Sequence, residues 1–343
     1  MSRRSLDDLT SWHSEWSGLR VVVVGVGATG FALVDTLVEL GCEVVSLARD
    51  AADDVLPVLE VLGATSVVGA SDSELVSALE KFAPDLVIVS PGVRKGEALV
   101  QAALAADIPV WSDIDFAWRV RDKRDQVSPW ILIAGEENGL RIAELSARLL
   151  GAAGLPSLVV GHHGGVLLDA LRDPNDYATI VIVASDTQVH NLARGESVLR
   201  SPTIALCVEE NPSSSLAGLY DGVSQACMYR RGAGPTMSLV AHADVQEGAR
   251  AIGIGFDSPG RSDLGLVQGI VVDRAFLEDR DTQALEVSTL EELTQAGWTI
   301  PEDLPIILGA IAVARGHNVS PAVIAGVLTP PSGGRAERGF GVP

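Results

Sequence analysis

"LRVVVVGVGATGFALVDTLVELG", residues 19–41, decides the architecture of this chain. Four successive valines follow Arg20, and an aliphatic run without polar alternation is the signature of a strand buried on both faces of a parallel sheet. Glycine-rich "GVGATG" comes next, then a helix expected over 31–40 with Gly41 at its end. Strand, glycine turn, helix is the opening unit of a doubly wound α/β sheet. The same alternation continues outward. "EVVSLA", "TSVVGA", "DLVIVS" and "IPVWS" read as strands. Helices are expected over 71–82, opened by Ser-Asp-Ser, through Ala105, and from Asp113, as cap, to about Val120.

Composition agrees. The chain has 343 residues, 47% of them hydrophobic and 20% charged, enough for two cored domains. Aromatics make up only 4%, so aliphatic layers dominate. The net charge of −20 excludes a basic nucleic-acid surface and reads as a solvated acidic face. Cys42, Cys207 and Cys227 show no metal spacing and read as free thiols of a reducing compartment. No apolar leader and no membrane-length run is present, so a cytoplasmic chain is expected.

Charged "VRDKRDQVSP" reads as a linker. A second α/β run then starts at Trp130. "SLVVG", "ATIVIVAS" and "TIALCV" are its strands, 250–273 is expected to form an antiparallel edge, and helices are expected near 304–314 and 321–328. Residues 329–343, rich in Pro and Gly, read as a disordered tail.

Gly25, Gly27 and Gly30 match GxGxxG in the right context, with Ala28 and Thr29 between them. A dinucleotide reading asks for an acid at the end of the second strand, where Asp50 stands slightly late. A purely structural glycine turn is the alternative. Ser90, Pro91 and Gly92 close the strand at 85–90, with Arg94 and Lys95 either contacting phosphate or simply solvated. His162-His163 reads as a loop pair without metal, because adjacent side chains on extended backbone diverge. No nucleophile elbow is present.

The stretch "AGEENGLRIAE", 134–144, has the layout of a phosphate loop without its chemistry. Such a loop needs backbone N–H groups, a lysine and a Mg2+-binding hydroxyl. Gly135 and Gly139 can supply the first. The lysine and hydroxyl positions hold Gly139-Leu140 or Leu140-Arg141, depending on register, and Asn138 precedes them. Glu136 and Glu137 place negative charge where a triphosphate would lie. They read instead as carboxylates at a helix N-terminus.

"SWHSEWSGLRVVVVGVGATGFA", "LVIVSPGV", "IPVWSDIDFAWR", "LLGAAGL", "EGARAIGIGF" and "LGLVQGIVVDRAF" occur in this order. On these stretches, over 9–328, the chain resembles the Mur ligases, and among them the UDP-N-acetylmuramoyl-L-alanine:D-glutamate ligases of actinobacterial type. The resemblance implies a Rossmann-like parallel-sheet domain over 1–121 that holds the UDP part of the precursor. A central α/β domain over 122–328, P-loop-like in form, would hold ATP and Mg2+. A C-terminal domain for the incoming amino acid is expected beyond 328, and the sequence does not contain it. The family makes an amide bond through an acyl phosphate. By position, Gly25 to Gly30 and Ser90 to Gly92 fall on the UDP-sugar site. The family's acid after the second strand falls near Ala48. Its metal-binding Glu falls at Val183, its metal-binding His near Ser213, and its modified lysine at Gln225 or Ser224. Its His-Asn motif is replaced by "LPIILGA".

These losses lead to the expectation of a catalytically inactive homologue with no catalytic residue, metal or cofactor of its own. Its role would be binding or regulation, with the UDP-N-acetylmuramoyl precursor or a cell-wall synthesis protein as partner. The alternatives are an active D-glutamate ligase completed by another chain, an NAD(P) oxidoreductase, and a decayed product without a role.

Overall fold

The computed structural model describes residues 6–50, 55–94, 96–135, 138–162, 164–173, 175–193 and 198–329. Lys95, Glu136, Glu137, His163 and the tail from 330 onward lie outside the described residues.

The opening stretch forms β1 (Arg20–Val24) and α1 (Ala28–Glu39). β2 (Glu43–Ala48), α2 (Val55–Val61), β3 (Thr65–Val68), α3 (Asp72–Phe82), β4 (Leu86–Val89), α4 (Ala98–Ala105), β5 (Val110–Ser112) and α5 (Asp113–Arg119) follow. The strands make a five-stranded parallel sheet in the order β3-β2-β1-β4-β5. Val21 to Val24 are buried, since β1 is the middle strand with helices over both faces. Gly41 takes φ +79 after α1, the left-handed conformation that ends a helix. Ser71 caps α3 with a complete capping box to Glu74. At α5 the cap is Ser112, whose hydroxyl accepts from Asp115 N; Asp113, expected as the cap, is the first helical residue.

The second sheet is built from β6 (Trp130–Ala134), α6 (Gly139–Ala152), β7 (Ser157–Gly161), α7 (Leu167–Ala170), β8 (Thr179–Ala184), α8 (Asp186–Asn191) and β9 (Ile204–Cys207). A 3-10 turn, Ser214–Gly218, leads to β10 (Ala226–Arg230), α9 (Gly234–Ala241), β11 (Arg250–Ile254), β12 (Asp263–Val267), β13 (Ile270–Asp273) and β14 (Leu285–Thr289). α10 (Leu290–Gln295), α11 (Leu304–Gly316) and α12 (Pro321–Leu328) complete it. Its nine strands run β14-β13-β12-β11-β10-β9-β6-β8-β7. The antiparallel edge is narrower than expected. β11 pairs in parallel with both β10 and β12, and only β12-β13-β14 alternate in direction. The reason is the α9 crossover: it returns the chain to the same sheet end, so β11 must run parallel to β10. By contrast, the Gln268-Gly269 turn, both residues at positive φ, reverses β12 into β13.

The charged segment over 120–129 connects the sheets and is tied down. Asp122 accepts from the Trp12 N–H at 2.7 Å, Arg121 lies over the Trp118 ring at 3.9 Å, and Trp118 meets Trp130 edge-on at 5.0 Å. Further bonds cross between the halves. Gln188 Nε2 donates to Asp113 at 3.0 Å, Arg200 Nη1 to Asp115 at 3.0 Å, and Asn191 to Val93 O at 2.7 Å. Arg172 binds Asp35, Thr36 and Glu39 of α1. One hydrophobic cluster runs from Trp16 and Val21 to Leu132 and Ala205, so the two sheets share a core.

Candidate functional site

In an open α/β sheet, ligands bind beyond the carboxyl ends of the strands where strand order reverses. In the first sheet that point lies between β1 and β4. A cleft of about 520 Å3 opens there, lined by all eight residues singled out from the sequence: Gly25, Gly27, Ala28, Thr29, Gly30, Ser90, Pro91 and Gly92.

The three glycines have separate causes. Gly25 sits at φ +92, which an L side chain resists. At Gly30 a Cβ would lie 2.0 Å from Gly25 O, so helix and turn touch only without a side chain. At Gly27 nothing lies within 4 Å of a Cβ position. Its bareness serves the space in front of it, where a phosphate would approach. α1 starts there with Gly27 as N-cap and no side-chain cap bond, which leaves its first N–H groups directed at the cleft. Ser90 holds the two turns together: its hydroxyl donates to Gly25 O at 3.0 Å.

Arg94 does not line this cleft; its backbone N–H donates to Glu97. Arg49 supplies a cation instead, paired with Asp72 at 2.9 Å at the rim. The hydrogen bond and charge of Asp72 raise the Arg49 pKa above its ordinary value. Asp50, Asp72 and Glu97 add carboxylates suited to hydroxyl and N–H donors of a nucleoside. Arg49 was legible only as part of Ala48-Arg49-Asp50, where attention fell on the acid.

A smaller cleft of about 210 Å3 shares Ala28, Thr29 and Pro91 with the first and reaches Asp113, His162 and Gln188. Asp113 is buried, and burial pushes its pKa up to about 7 despite the Gln188 hydrogen bond, which pulls it down. This Asp-Gln contact spans the two halves and was not foreseen, because residues 75 apart give no local signal.

Residues 19–112 match the family described as "Mur ligase MurD-like, N-terminal domain". Over 346 residues the chain is 40% identical to the UDP-N-acetylmuramoylalanine--D-glutamate ligase of Leifsonia xyli subsp. xyli, covering 96% of this chain and 67% of that one. The chain belongs to the Mur ligase family. This Mur ligase is also 32% identical to the ligase of the same name from Tropheryma whipplei strain Twist, over 96% of its own length and 69% of the relative's. It thus spans about two thirds of the relatives it matches. A solved structure of UDP-N-acetylmuramate:L-alanyl-gamma-D-glutamyl-meso-diaminopimelate ligase from Neisseria meningitides is similar at TM-score 0.49 and 15% identity, covering 91% of this chain and 98% of that one.

The second region of interest is the loop after β6. Gly135, at φ +137, turns the chain, and α6 starts at Gly139 with Asn138 as N-cap. Leu140 therefore stands in the first helical turn, one of the two candidate positions for a phosphate-binding lysine, and packs half-buried against the core of the second sheet. Arg141, the loop's cation, is held by Asp303 at 2.7 Å. A carboxylate oxygen of Glu209 lies 3.0 Å from where a Gly135 Cβ would be, which places it at the mouth of the loop. Val183 is buried beside Gly139. Ser213 caps the 3-10 turn and binds Ser215.

Gln225 does not join these residues. Ala226 and Ile131 both pair with Ile204, so Gln225 is level with the start of β6, the opposite end from Gly135. Five residues, Trp130 to Gly135, separate the two levels, about 16 Å along the strand at ~3.3 Å per residue. Among the described residues no group of three or more His, Cys, Asp or Glu is placed to share a metal ion. The donors present do not fit ATP·Mg2+. The described loop residues 138–141 include no lysine or hydroxyl, and the Glu209 carboxylate near Gly135 adds charge of the sign a triphosphate already carries.

Proposed function

We propose that this chain serves the step its relatives are named for, the joining of D-glutamate to UDP-N-acetylmuramoyl-L-alanine. Its own contribution is to hold the UDP end of the precursor. The observation that carries this reading is the cleft at the β1/β4 switch point, where an uncapped helix start and the bare Gly27 face open space. On this reading residues 1–121 are the precursor domain and 122–328 the central domain. The pyrophosphate takes the N–H groups of α1, and the carboxylates of Asp50 or Asp72 take ribose or uracil donors. The dinucleotide reading loses its support, since the relatives are named for a nucleotide-sugar substrate.

Similarity favours a working ligase over an inactive homologue: the relatives at 40% and 32% identity carry the ligase name, and no finding demonstrates lost activity. One set of observations favours the second reading, in which the chain binds precursor, alone or with a cell-wall synthesis protein, without transferring a phosphoryl group. These are Leu140, Glu209 and the Arg141–Asp303 pair at the β6 loop.

Calorimetry with UDP-N-acetylmuramoyl-L-alanine, together with an assay for ADP and amide product with D-glutamate and ATP·Mg2+, separates them. Product formation supports the ligase. Precursor binding with neither ATP heat nor product supports the binding role. No precursor binding at millimolar concentration overturns both.

A further inference from the structure

A separate cleft of about 320 Å3 lies at the β5 edge of the first sheet, on the far side of β4 from the glycine turn. Its walls mix apolar and polar side chains. Val100 and Leu104 come from α4, Trp111 from β5, and Leu199 from the segment that feeds β9. Two guanidinium groups sit among them, and their situations differ.

Arg200 makes three hydrogen bonds, although its Nε, like that of Arg119, is buried without a partner among the described residues. It donates to Asp115 at 3.0 Å, to Ala193 O at 2.8 Å and to Gly218 O at 2.8 Å. Asp115, the acid of this cleft, also accepts from the Ser112 hydroxyl and the Ala193 N–H, so its oxygens are occupied. Arg119 is not matched in this way. It lies over the Trp111 ring at 3.8 Å and donates to Leu9 O at 2.7 Å. It is only 8% exposed, and its Nε is buried without a hydrogen-bond partner among the described residues. Asp115 acts on Arg119 through its charge without a hydrogen bond between them, and Asp7, exposed at the surface, acts in the same sense less strongly.

Among its described lining residues the cleft thus holds two guanidinium groups to one carboxylate, in a chain of net charge −20. A buried ion without a counter-ion is costly, and buried polar atoms in native proteins are normally satisfied. A guanidinium with one face on an indole still offers its edge to a planar, two-oxygen acceptor. The volume is at the lower end of small-molecule sites, which span roughly 300–1,000 Å3.

We infer that this cleft binds a small organic carboxylate, its head on Arg119 and a short apolar tail among Val100, Leu104 and Leu199. The site is independent of the ligase reading, because it uses none of the residues that line the glycine-turn cleft.

Titration of the whole chain with hexanoate, acetate and hexanol tests the inference by calorimetry. Hexanoate is expected to bind one to one and at least about tenfold more tightly than either control, since each control lacks half of the recognition. Arg119→Met should weaken hexanoate at least about tenfold and leave hexanol unchanged. Leu104→Glu provides a second variant that leaves the core alone, since Leu104 is 47% exposed at the rim. It should weaken hexanoate by like-charge repulsion even where Arg119→Met fails to fold. No heat with hexanoate, equal affinity for hexanoate and hexanol, or hexanoate binding unchanged in Leu104→Glu overturns the inference.

Discussion

Gly27 and Gly30 stand three residues apart and should fail in opposite ways when replaced. Gly30→Ala pushes a methyl group into the Gly25 carbonyl and should destabilise the chain by about 1–3 kcal/mol, read as a lower urea midpoint. Gly27→Ala meets nothing and keeps an ordinary φ of −66, so stability should hold while UDP affinity falls. Equal melting and unchanged UDP heat for Gly27→Ala would remove the phosphate from that turn. Asp113 predicts a pH effect. Its folded carboxyl keeps a proton up to about pH 7, whereas the unfolded chain releases it near 3.8. The native state therefore binds more protons in that interval, and stability falls as pH rises through it. Asp113→Asn, neutral throughout and still an acceptor for Gln188, should be more stable than the parent at pH 8, by on the order of 1–4 kcal/mol. Near pH 4 the two should converge, and a gap that persists there in urea denaturation would contradict this account. The glycines were readable because each acts within one turn. Asp113 was read as a helix cap, and nothing local in the chain reveals that Gln188 and the second sheet close over it.

Among the elements, α6 and α11 are joined at one end by Arg141 and Asp303. Asp303 also accepts from the Thr299 N–H at 2.9 Å and is mostly buried. Asp303→Ala removes both bonds and should cost about 1–3 kcal/mol, with faster hydrogen exchange in the first turns of α6 and α11. Exchange confined to α11 would show that the ion pair does not dock α6. The same pair gives the basic residue at the start of α6 a partner within the chain. The edge of the second sheet shows a related limit of sequence reading. Gly-rich turns over 250–273 suggested reversals throughout, but strand direction follows from where each crossover lands. β10 and β14 were missed because neither is an unbroken aliphatic run. "ACMYR" mixes apolar and cationic residues, and in "LEVST" Glu286 faces solvent.

For the molecule as a whole, the charge of −20 on 343 residues makes self-repulsion a general term. Raising NaCl from about 0.02 M to about 0.3 M shortens the screening length to well under ~10 Å and should raise the melting temperature by about 2–4 °C. A fall would mean that the ion pairs between the halves, such as Arg172 with Asp35 and Glu39, outweigh the net repulsion. Among the described residues no helix is long and apolar enough to cross a membrane.

The α/β class, the glycine turn and the kinship were legible in residues 19–41 and the stretches that follow. Buried strands declare themselves by unbroken aliphatic runs, and a tight turn by its glycines, within a few residues. That 135–141 contains no lysine, serine or threonine was legible too. What the loop contains instead became visible only in three dimensions. Leu140 packs half-buried against the core, Arg141 is claimed by a residue 162 positions away, and Glu209 from β9's end stands at the loop's mouth. The cleft around Arg119 has the same origin. Arg200 makes a hydrogen bond to Asp115 that Arg119 does not share, and competition between side chains for one partner is settled by packing.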